Sequence, residues 1–294
     1  MTSATIIKDS TNWLDSRITT LILEYPRFIH GEFMTHRVLS KNAAGSRAIP
    51  IEKMIENVKS NTVYPTWTKT QKGMQGEVVT NLSIIQELDN DVFFMRDWII
   101  NEVQNLAVKG VHKQNANRYL EPFQYIKLIC TGTEWSNFFS LRCHKDAQPE
   151  IQQLAYAIRQ AMKDSSPKFL NPGEWHIPFE DFLPEDTNSE QKIKVSVARC
   201  ARISYNNFET NSIDVEKDIE LYEKLMVQEP LHASPAEHQA RVPIEQELEH
   251  FHSRYLTHTV GKPIYHKGKY ISNLNGWIQL RKVIENGEHF NNIR

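Results

Sequence analysis

The stretch TTLILEY, from Thr19 to Tyr25, decides the start of the fold, and Pro26 follows it directly. Its apolar residues from position 21 onward predict a buried strand. Pro26 suits the first turn of a helix, because the N–H that it lacks would have no partner at that position. Apolar side chains then recur at helical spacing through RFIHGEFMTHRVL, residues 27–39. The sequence therefore predicts a buried strand that leads into a helix.

Further elements follow from the same periodicities. One helix is predicted to begin near Pro50, and a second runs over 91–108 with Gly110 as C-cap. A third runs over 147–162 with Asp146 as N-cap, and a fourth covers 215–226. The alternation in KIKVSVA, residues 192–198, predicts a half-buried strand. Helices and strands mix without βαβ regularity, which indicates the α+β class, with an antiparallel or mixed sheet packed against long helices.

The connection between the two parts of the chain is rich in proline. Residues 163–191 contain four prolines and many polar side chains, which is typical of a long connection. We expect a single catalytic domain over 1–294, in which this connection joins a first part, 1–162, to a second part, 192–294.

Composition excludes several classes of protein. Lys and Arg number 34 against 36 Asp and Glu, a net charge of -2, which excludes a broadly basic nucleic-acid-binding protein. The sequence lacks the run of about 18 apolar residues that a membrane-spanning helix needs, and its start lacks the pattern of a signal peptide. Cys130, Cys143 and Cys200 are odd in number and widely spaced, which indicates a reducing compartment. We expect a cytosolic protein, with neither membrane nor nucleic acid as partner.

The densest group of polar residues begins at His36. If the predicted helix continues, it places Arg37, Ser40 and Lys41 close together, three and four residues apart. The residues that follow form a turn with exposed N–H groups, a hydroxyl and a guanidinium, contributed by Asn42, Gly45, Ser46 and Arg47. This combination suits an anion such as a phosphate. The alternative is a solvated helix end followed by a turn.

Two later segments carry further candidates. Asn137 and Arg142 fall within NFFSLR, where Arg142 lies at the end of an element. In LHASPAEH, Ser234 precedes Pro235 and is predicted to be extended, on a turn that also presents imidazoles. Six of the twelve histidines lie between 232 and 266, yet no HExxH or Cys-x-x-Cys pattern accompanies them, so we predict no metal site. We interpret Cys143 as a packing residue rather than a nucleophile.

Taken together, four segments resemble the flavin-dependent thymidylate synthases. The signature Arg-His-Arg-x-x-Ser-x-Asn-Glu-x-Ser-x-Arg is similar to residues 35–47. The pattern Asn-Phe-x-x-x-Arg, followed by Ala-Gln-x-Glu-Ile, matches residues 137–151. VARCARISY at 197–205 resembles the family's Val-x-x-Ala-Arg-x-Ser-Tyr, and residues 232–238 match His-x-Ser/Thr-Pro-x-Glu-His. In the family the last two precede the signature, so this chain resembles a circularly permuted or otherwise rearranged relative. The resemblance also implies a virus-encoded protein and a place in the bacterial or virus-infected host cytoplasm.

The resemblance implies a role for each matching residue. The residues that match flavin contacts, with FAD as cofactor, are His36, Arg37, Asn42, Asn137, His232 and Ser234. The residues that match nucleotide contacts are Glu32, Gly45, Ser46, Arg47, Arg118 and Arg142. Arg142 matches the catalytic arginine, which stabilises the pyrimidine as an N3 anion and so makes its C5 carbon nucleophilic. The implied assembly is a homotetramer.

The implied reaction is methylation of dUMP at C5, with methylenetetrahydrofolate as carbon donor and NADPH as reductant. Thr35 and Ala43 replace the first Arg and the Glu of the signature, and Gly45 stands where its second Ser is expected. These departures keep open hydroxymethylation, dCMP as the substrate, or a non-catalytic nucleotide-binding relative.

Overall fold

The computed structural model describes residues 1–72, 76–203, 214–226, 232–250 and 269–288. The strands in this part of the chain are β1 (Ser3–Asn12), β2 (Arg17–Pro26), β3 (Ser40–Ala43), β4 (Tyr125–Gly132), β5 (Lys168–Leu170), β6 (Trp175–His176), β7 (Ala240–Arg241) and β8 (Ile278–Gln279). The α-helices are α1 (His30–Met34), α2 (Ile51–Ser60), α3 (Leu82–Val108), α4 (Lys113–Ala116), α5 (Ser136–Arg142), α6 (Pro149–Asp164), α7 (Ser189–Arg202), α8 (Val215–Met226) and α9 (Leu280–Glu285). This mixture confirms the predicted α+β class.

The main sheet has five strands in the order β3-β4-β2-β1-β5. Its neighbours are antiparallel, except that β5 runs parallel to β1. The strand predicted from Leu21 to Tyr25 is confirmed and lies within β2, which pairs with β1 on one side and β4 on the other. Pro26 ends this strand, and a short 3₁₀ helix follows it.

Both faces of the main sheet are buried. On one face, Leu21, Leu23 and Tyr25 of β2 pack with Leu154 and Ile158 of α6. Because alternate side chains of a strand point to opposite faces, Ile18, Thr20 and Ile22 face the other layer. A strand that is covered on both sides is expected to be apolar nearly throughout, which explains the composition of TTLILEY.

The second layer comes from the later part of the chain. A three-stranded antiparallel sheet in the order β6-β7-β8 lies here, together with α7. Ile18 packs in a cluster with Trp277, which is fully buried before β8. Cys200 of α7 packs in a cluster with Ile129 of β4 and Ile22 of β2. The two parts of the chain therefore share one core.

A chain of buried polar side chains crosses the boundary between these layers. Ser10 Oγ lies 2.9 Å from Nδ1 of His176, whose Nε2 lies 2.9 Å from the hydroxyl of Thr20. That hydroxyl lies 2.7 Å from the hydroxyl of Thr131, which lies 2.9 Å from Nδ1 of His238. All five side chains are fully buried. We call this set the buried polar chain.

Burial keeps both histidines of the buried polar chain neutral. It lowers the pKa of His238 to about 3, and it lowers the pKa of His176 well below the usual value, with a further contribution from the charge of Lys8. A neutral imidazole donates at one ring nitrogen and accepts at the other, so His176 can join the hydroxyl groups of Ser10 and Thr20 without a buried charge.

The helix predicted after Pro26 is present but much shorter than expected. It reduces to α1, and a turn closed by the Leu39 N–H and the His36 carbonyl separates α1 from β3. Arg37, Ser40 and Lys41 therefore do not share a helical face. Ser40–Ala43 instead pairs antiparallel with β4, because a strand here satisfies backbone groups that the edge of β4 would otherwise leave unpaired.

The strand predicted at 192–198 is also wrong, because this segment lies within α7. The side chain of Asn188 accepts from the Gln191 N–H and the Gln191 side chain accepts in return, a capping box that starts the helix. Nearly every residue from 195 to 201 is buried, and a helix covered on most sides loses the polar face that identifies it.

The other predicted helices are confirmed, with corrected ends. They are α2, α3, α6 and α8. Helix α3 begins earlier than predicted, at Leu82, and Gly110 follows it with a positive φ of 79°. Gln148 rather than Asp146 is the N-cap of α6, because Pro149 occupies the first turn. Within the described ranges, no helix is long and apolar enough to cross a membrane.

Candidate functional site

His36 and Arg142 form the first contact between predicted site residues. The two residues are far apart in sequence, but Arg142 ends α5 and its Nε donates to Nε2 of His36 at 3.1 Å. The His36 ring packs edge-on against Phe138, with ring centroids 4.9 Å apart, and tilted against Phe33. The aromatic core therefore fixes the ring, and the ring fixes the direction of the guanidinium.

The protonation state of His36 follows from these contacts. Burial, and to a smaller extent the nearby charges of Arg142 and Lys41, lower its pKa to about 4. His36 is therefore neutral near pH 7, with its proton on Nδ1, because Nε2 accepts from Arg142. The guanidinium keeps its two terminal nitrogens for another partner, since only Nε is used by His36.

The turn that contains Ser234 packs against β3. Ser234–Glu237 is a 3₁₀ helix, so the predicted extended conformation of Ser234 is wrong, because Pro235 fits the first turn of a helix. Gln279 Nε2 donates to the Glu237 carbonyl at 3.0 Å and also lies 3.4 Å from Ser40 Oγ. The turn therefore lies beside the strand that begins four residues after His36. His232 and Ser234 are exposed on it.

A second cluster forms at the other end of β3, around one carboxylate. Oε1 of Glu121 accepts from the Ser46 hydroxyl at 2.6 Å and from Arg118 Nη1 at 2.8 Å. Arg27 Nη2 lies 3.0 Å from the same oxygen. We call these four side chains the Glu121 cluster. It brings together Ser46 and Arg118, two of the residues predicted to contact the nucleotide.

The charge state of Glu121 is set by its partners. Burial raises the pKa of this carboxyl, but the hydrogen bond from Ser46 and the charges of Arg27 and Arg118 lower it more, and the balance lies below its usual value. The carboxylate is therefore ionised near pH 7.

Backbone contacts fix the loop that carries Ser46. Asn117, fully buried, donates to the carbonyls of Ser46 at 2.8 Å and Ile49 at 2.9 Å. Lys113 Nζ donates to the Ala48 carbonyl at 3.0 Å, and Arg27 Nη1 donates to the Ala44 carbonyl at 3.2 Å. The loop from 44 to 49 is therefore held on both sides.

The structure leaves the other predicted site residues apart from these contacts. Four of them are exposed, and no hydrogen bond in the described part of the chain joins their side chains to another predicted site residue: Glu32, Arg37, Arg47 and Asn137. Asn42 is buried within β3, and Gly45 is half-buried just before Ser46.

Cys143 has the environment of a packing residue. It is half-buried, and burial raises the pKa of its thiol more than the charge of Arg159 lowers it. A raised thiol pKa disfavours the thiolate that a nucleophile requires. Among the described residues, no three His, Cys, Asp or Glu side chains lie together as metal ligands. His252, His258 and His266 lie outside the described residues.

The sequence patterns missed several residues that shape the site. Glu121 and Arg27 carry no recognisable motif. Glu150 fell within a matched segment without an assigned role. It is buried at the start of α6, where Oε1 accepts from the Thr66 N–H at 2.6 Å, so it anchors the loop that follows α2.

The fold and these two clusters define an α+β protein with a fixed arginine–histidine pair at one end of a short strand and a cationic cluster at the other. The sequence profile of the Thy1 family, described as "Thymidylate synthase complementing protein", matches residues 14–168, which is more than half of the chain. The chain belongs to this family.

Two individual proteins are also similar. A flavin-dependent thymidylate synthase of Aquifex aeolicus (strain VF5) is 24% identical over 167 residues, which are 52% of this chain and 51% of that protein. This chain thus spans about half the length of that relative. The crystal structure of the UMP/dUMP methylase PolB from Streptomyces cacaoi, bound with 5-Br UMP, aligns with a TM-score of 0.44 and 17% identity. The alignment covers 55% of this chain and 88% of that one.

The pairing of His36 with Arg142 makes a direct prediction. Replacing Arg142 by Met removes one of the two charges that lower the pKa of His36, so this pKa should rise above about 4. It should stay below the ordinary value of about 6.5, because burial is the larger cause and persists. NMR titration of the His36 ring measures the change. Arg118→Met, which removes the same charge from the Glu121 cluster, is the matched control and should leave His36 unchanged. An identical His36 pKa in Arg142→Met and the unchanged protein would contradict the contact.

Proposed function

We propose that this protein is a flavin-dependent enzyme that methylates dUMP at C5, with methylenetetrahydrofolate as carbon donor and NADPH as reductant. The observation that carries the proposal is the hydrogen bond between Arg142 and His36. This bond brings together two segments that are distant in sequence and that each match a motif of the family. Membership in the family, through residues 14–168, supports the same reaction class.

The chemistry of the available donors fits FAD. Arg37, Asn137, His232 and Ser234 are all exposed and offer a guanidinium, an amide, an imidazole and a hydroxyl. Groups of this kind suit the diphosphate and the polar ring edge of a flavin. When bound, the flavin supplies hydride transfer, which no side chain can perform. The Ser234 turn lies against β3, so donors from both parts of the chain can face one cofactor.

Arg142 is the proposed catalytic residue. Its half-buried guanidinium is oriented by His36, and its terminal nitrogens can contact the N3 edge of a pyrimidine. A fixed cation at that edge stabilises the negative charge that develops when C5 becomes nucleophilic. His36 acts as a positioning residue, since its neutral ring accepts from Nε and adds no competing charge.

The nucleotide phosphate is proposed to bind at the other end of β3. Gly45, Ser46 and Arg47 provide a hydroxyl, N–H groups and a guanidinium, and Arg118 approaches Ser46 through Glu121. Arg47 and Arg118 are exposed, so both can reach a ligand. Glu32 is a further proposed contact to the nucleotide.

A permuted order of segments is part of the proposal. The family profile covers residues 14–168, whereas the segments similar to Val-x-x-Ala-Arg-x-Ser-Tyr and His-x-Ser-Pro-x-Glu-His follow residue 190. Within the described residues these later segments fold back onto the first part: α7 covers the main sheet, and the Ser234 turn contacts β3. Such a return is what a permutation requires. Residues 204–205 of the first segment lie outside the described residues.

A homotetramer is the proposed assembly, and α3 offers a surface for it. Phe94, Met95 and Trp98 are exposed neighbours on one side of this helix, with Trp98 63% exposed. Contiguous exposed apolar groups mark interaction surfaces in soluble proteins. The two site clusters also lie at opposite ends of β3. A neighbouring copy could complete each of them.

A tritium-release assay tests the proposed reaction. With FAD, NADPH and methylenetetrahydrofolate, the protein should release tritium from C5-labelled dUMP. Arg142→Gln should lower the rate by at least about 100-fold, because it removes the cation at the developing charge. The controls Arg159→Gln, at an exposed arginine of α6, and Cys143→Ala should retain activity.

The outcomes of this assay separate the alternatives. Tritium release from C5-labelled dCMP but not from dUMP would identify dCMP as the substrate. A product with one more oxygen than the methylated nucleotide would indicate hydroxymethylation. Binding of a nucleotide without FAD uptake or tritium release would contradict the proposal in favour of a non-catalytic relative.

Sedimentation tests the assembly. The protein should form a tetramer at micromolar concentration, and Trp98→Glu should shift it to smaller species by placing a charge in the apolar surface of α3. Phe182→Glu, at a 46% exposed aromatic residue outside α3, is the control. A monomer at this concentration would contradict the proposed homotetramer.

A further inference from the structure

The Glu121 cluster has the geometry of an occupied anion site. Three donors from three separate segments, Ser46, Arg118 and Arg27, converge on one oxygen of Glu121, at 2.6, 2.8 and 3.0 Å. A single acceptor oxygen that receives a hydroxyl and two guanidinium groups is the arrangement expected for one oxygen of a bound phosphate. Here the chain's own carboxylate takes that place.

The cluster divides into a fixed half and a movable half. The Ser46 side chain is buried, and Arg27 is held by the Ala44 carbonyl with 13% of its side chain exposed. Glu121 is 24% exposed and Arg118 is 56% exposed. The backbone of Glu121 lies in a 3₁₀ helix, next to buried Leu120, so Glu121 can leave Ser46 and Arg118 by side-chain rotation alone.

Charge balance makes such a displacement favourable for a phosphate and not for a neutral ligand. The two arginines carry two positive charges, and Glu121 neutralises one of them. A phosphate dianion brings more charge and more acceptor oxygens than a carboxylate, so it can compete for Ser46 and Arg118. An uncharged nucleoside has no group that could displace Glu121.

We propose that Glu121 is a built-in competitor anion: it occupies Ser46 and Arg118 in the empty protein, is displaced by the substrate's phosphate, and thereby sets the affinity for nucleotides. Glu121 is a specificity-determining residue, because ligands without a phosphate leave it in place. This inference rests on the proposed function only for the identity of the nucleotide that arrives at the cluster.

Calorimetric titration with inorganic phosphate, dUMP and deoxyuridine tests the proposal without turnover. Glu121→Gln should bind inorganic phosphate and dUMP about tenfold more tightly than the unchanged protein, since removing the competitor leaves two arginines unneutralised. Its affinity for deoxyuridine should not change. Glu24→Gln is the matched control: it removes a carboxylate from neighbouring β2, paired with Lys127 at 3.9 Å, and should behave as the unchanged protein.

Glu121→Ala gives the same readout if Glu121→Gln fails to fold, because it also removes the carboxylate. Equal or weaker phosphate binding by a folded variant would overturn the proposal and make Glu121 a structural support for the arginines. Tighter phosphate binding without tritium release would retain the inference while the proposed methylation fails. Tritium release by the unchanged protein, together with an unchanged phosphate affinity in the Glu121 variant, would support the proposed methylation and overturn the inference about Glu121.

Discussion

The buried polar chain is the constraint on which the remaining structure depends. Thr20 and Thr131, on adjacent strands of the main sheet, each meet a histidine from the later part of the chain, His176 or His238. A buried polar group without its partner costs about 1–3 kcal/mol, so these bonds permit only one register between the layers. His238 directly follows the Ser234 turn, and its bond to Thr131 holds that turn over β4 and β3.

The short strand β3 positions the two clusters of the candidate site. It pairs with β4 along Ser40–Ala43, which places the His36 turn at one end and the Ser46 loop at the other. At the first end, a neutral histidine orients a catalytic arginine in the proposed reaction. At the second, a carboxylate already satisfies the cations that a phosphate would use. Strand β3 thus lies between the proposed catalytic group at the pyrimidine base and the proposed group that selects ligands by their phosphate.

The sequence predicted the fold where one periodicity dominated. The run TTLILEY and the apolar faces of α2, α6 and α8 each follow a single pattern, so they were predicted correctly. The helix predicted through residue 39 and extended to Lys41 ends at Met34 instead, because Ser40–Ala43 pairs with β4, about 90 residues later in sequence. Segment 192–198 was predicted wrongly because burial on most sides of α7 left no polar face. In both cases tertiary contacts override the local pattern.

The site was predictable by type but not by arrangement. The motif pattern identified His36, Arg142, Ser46 and Arg118, and the structure joins them in two pairs. The motif pattern did not indicate Glu121, since nothing in the sequence near this residue shows that Ser46, Arg27 and Arg118 converge on it. Convergence of distant segments depends on the sheet order, which the sequence pattern alone does not specify.

Hydrogen–deuterium exchange with and without FAD tests the central claim most directly, namely that both parts of the chain form one flavin site. The account predicts that FAD slows exchange in two peptides together, one covering residues 35–42 and one covering 232–240. The peptide of α2, residues 51–60, serves as an internal reference and should not change. Protection confined to one of the two peptides, or absent from both at saturating FAD, would contradict the account.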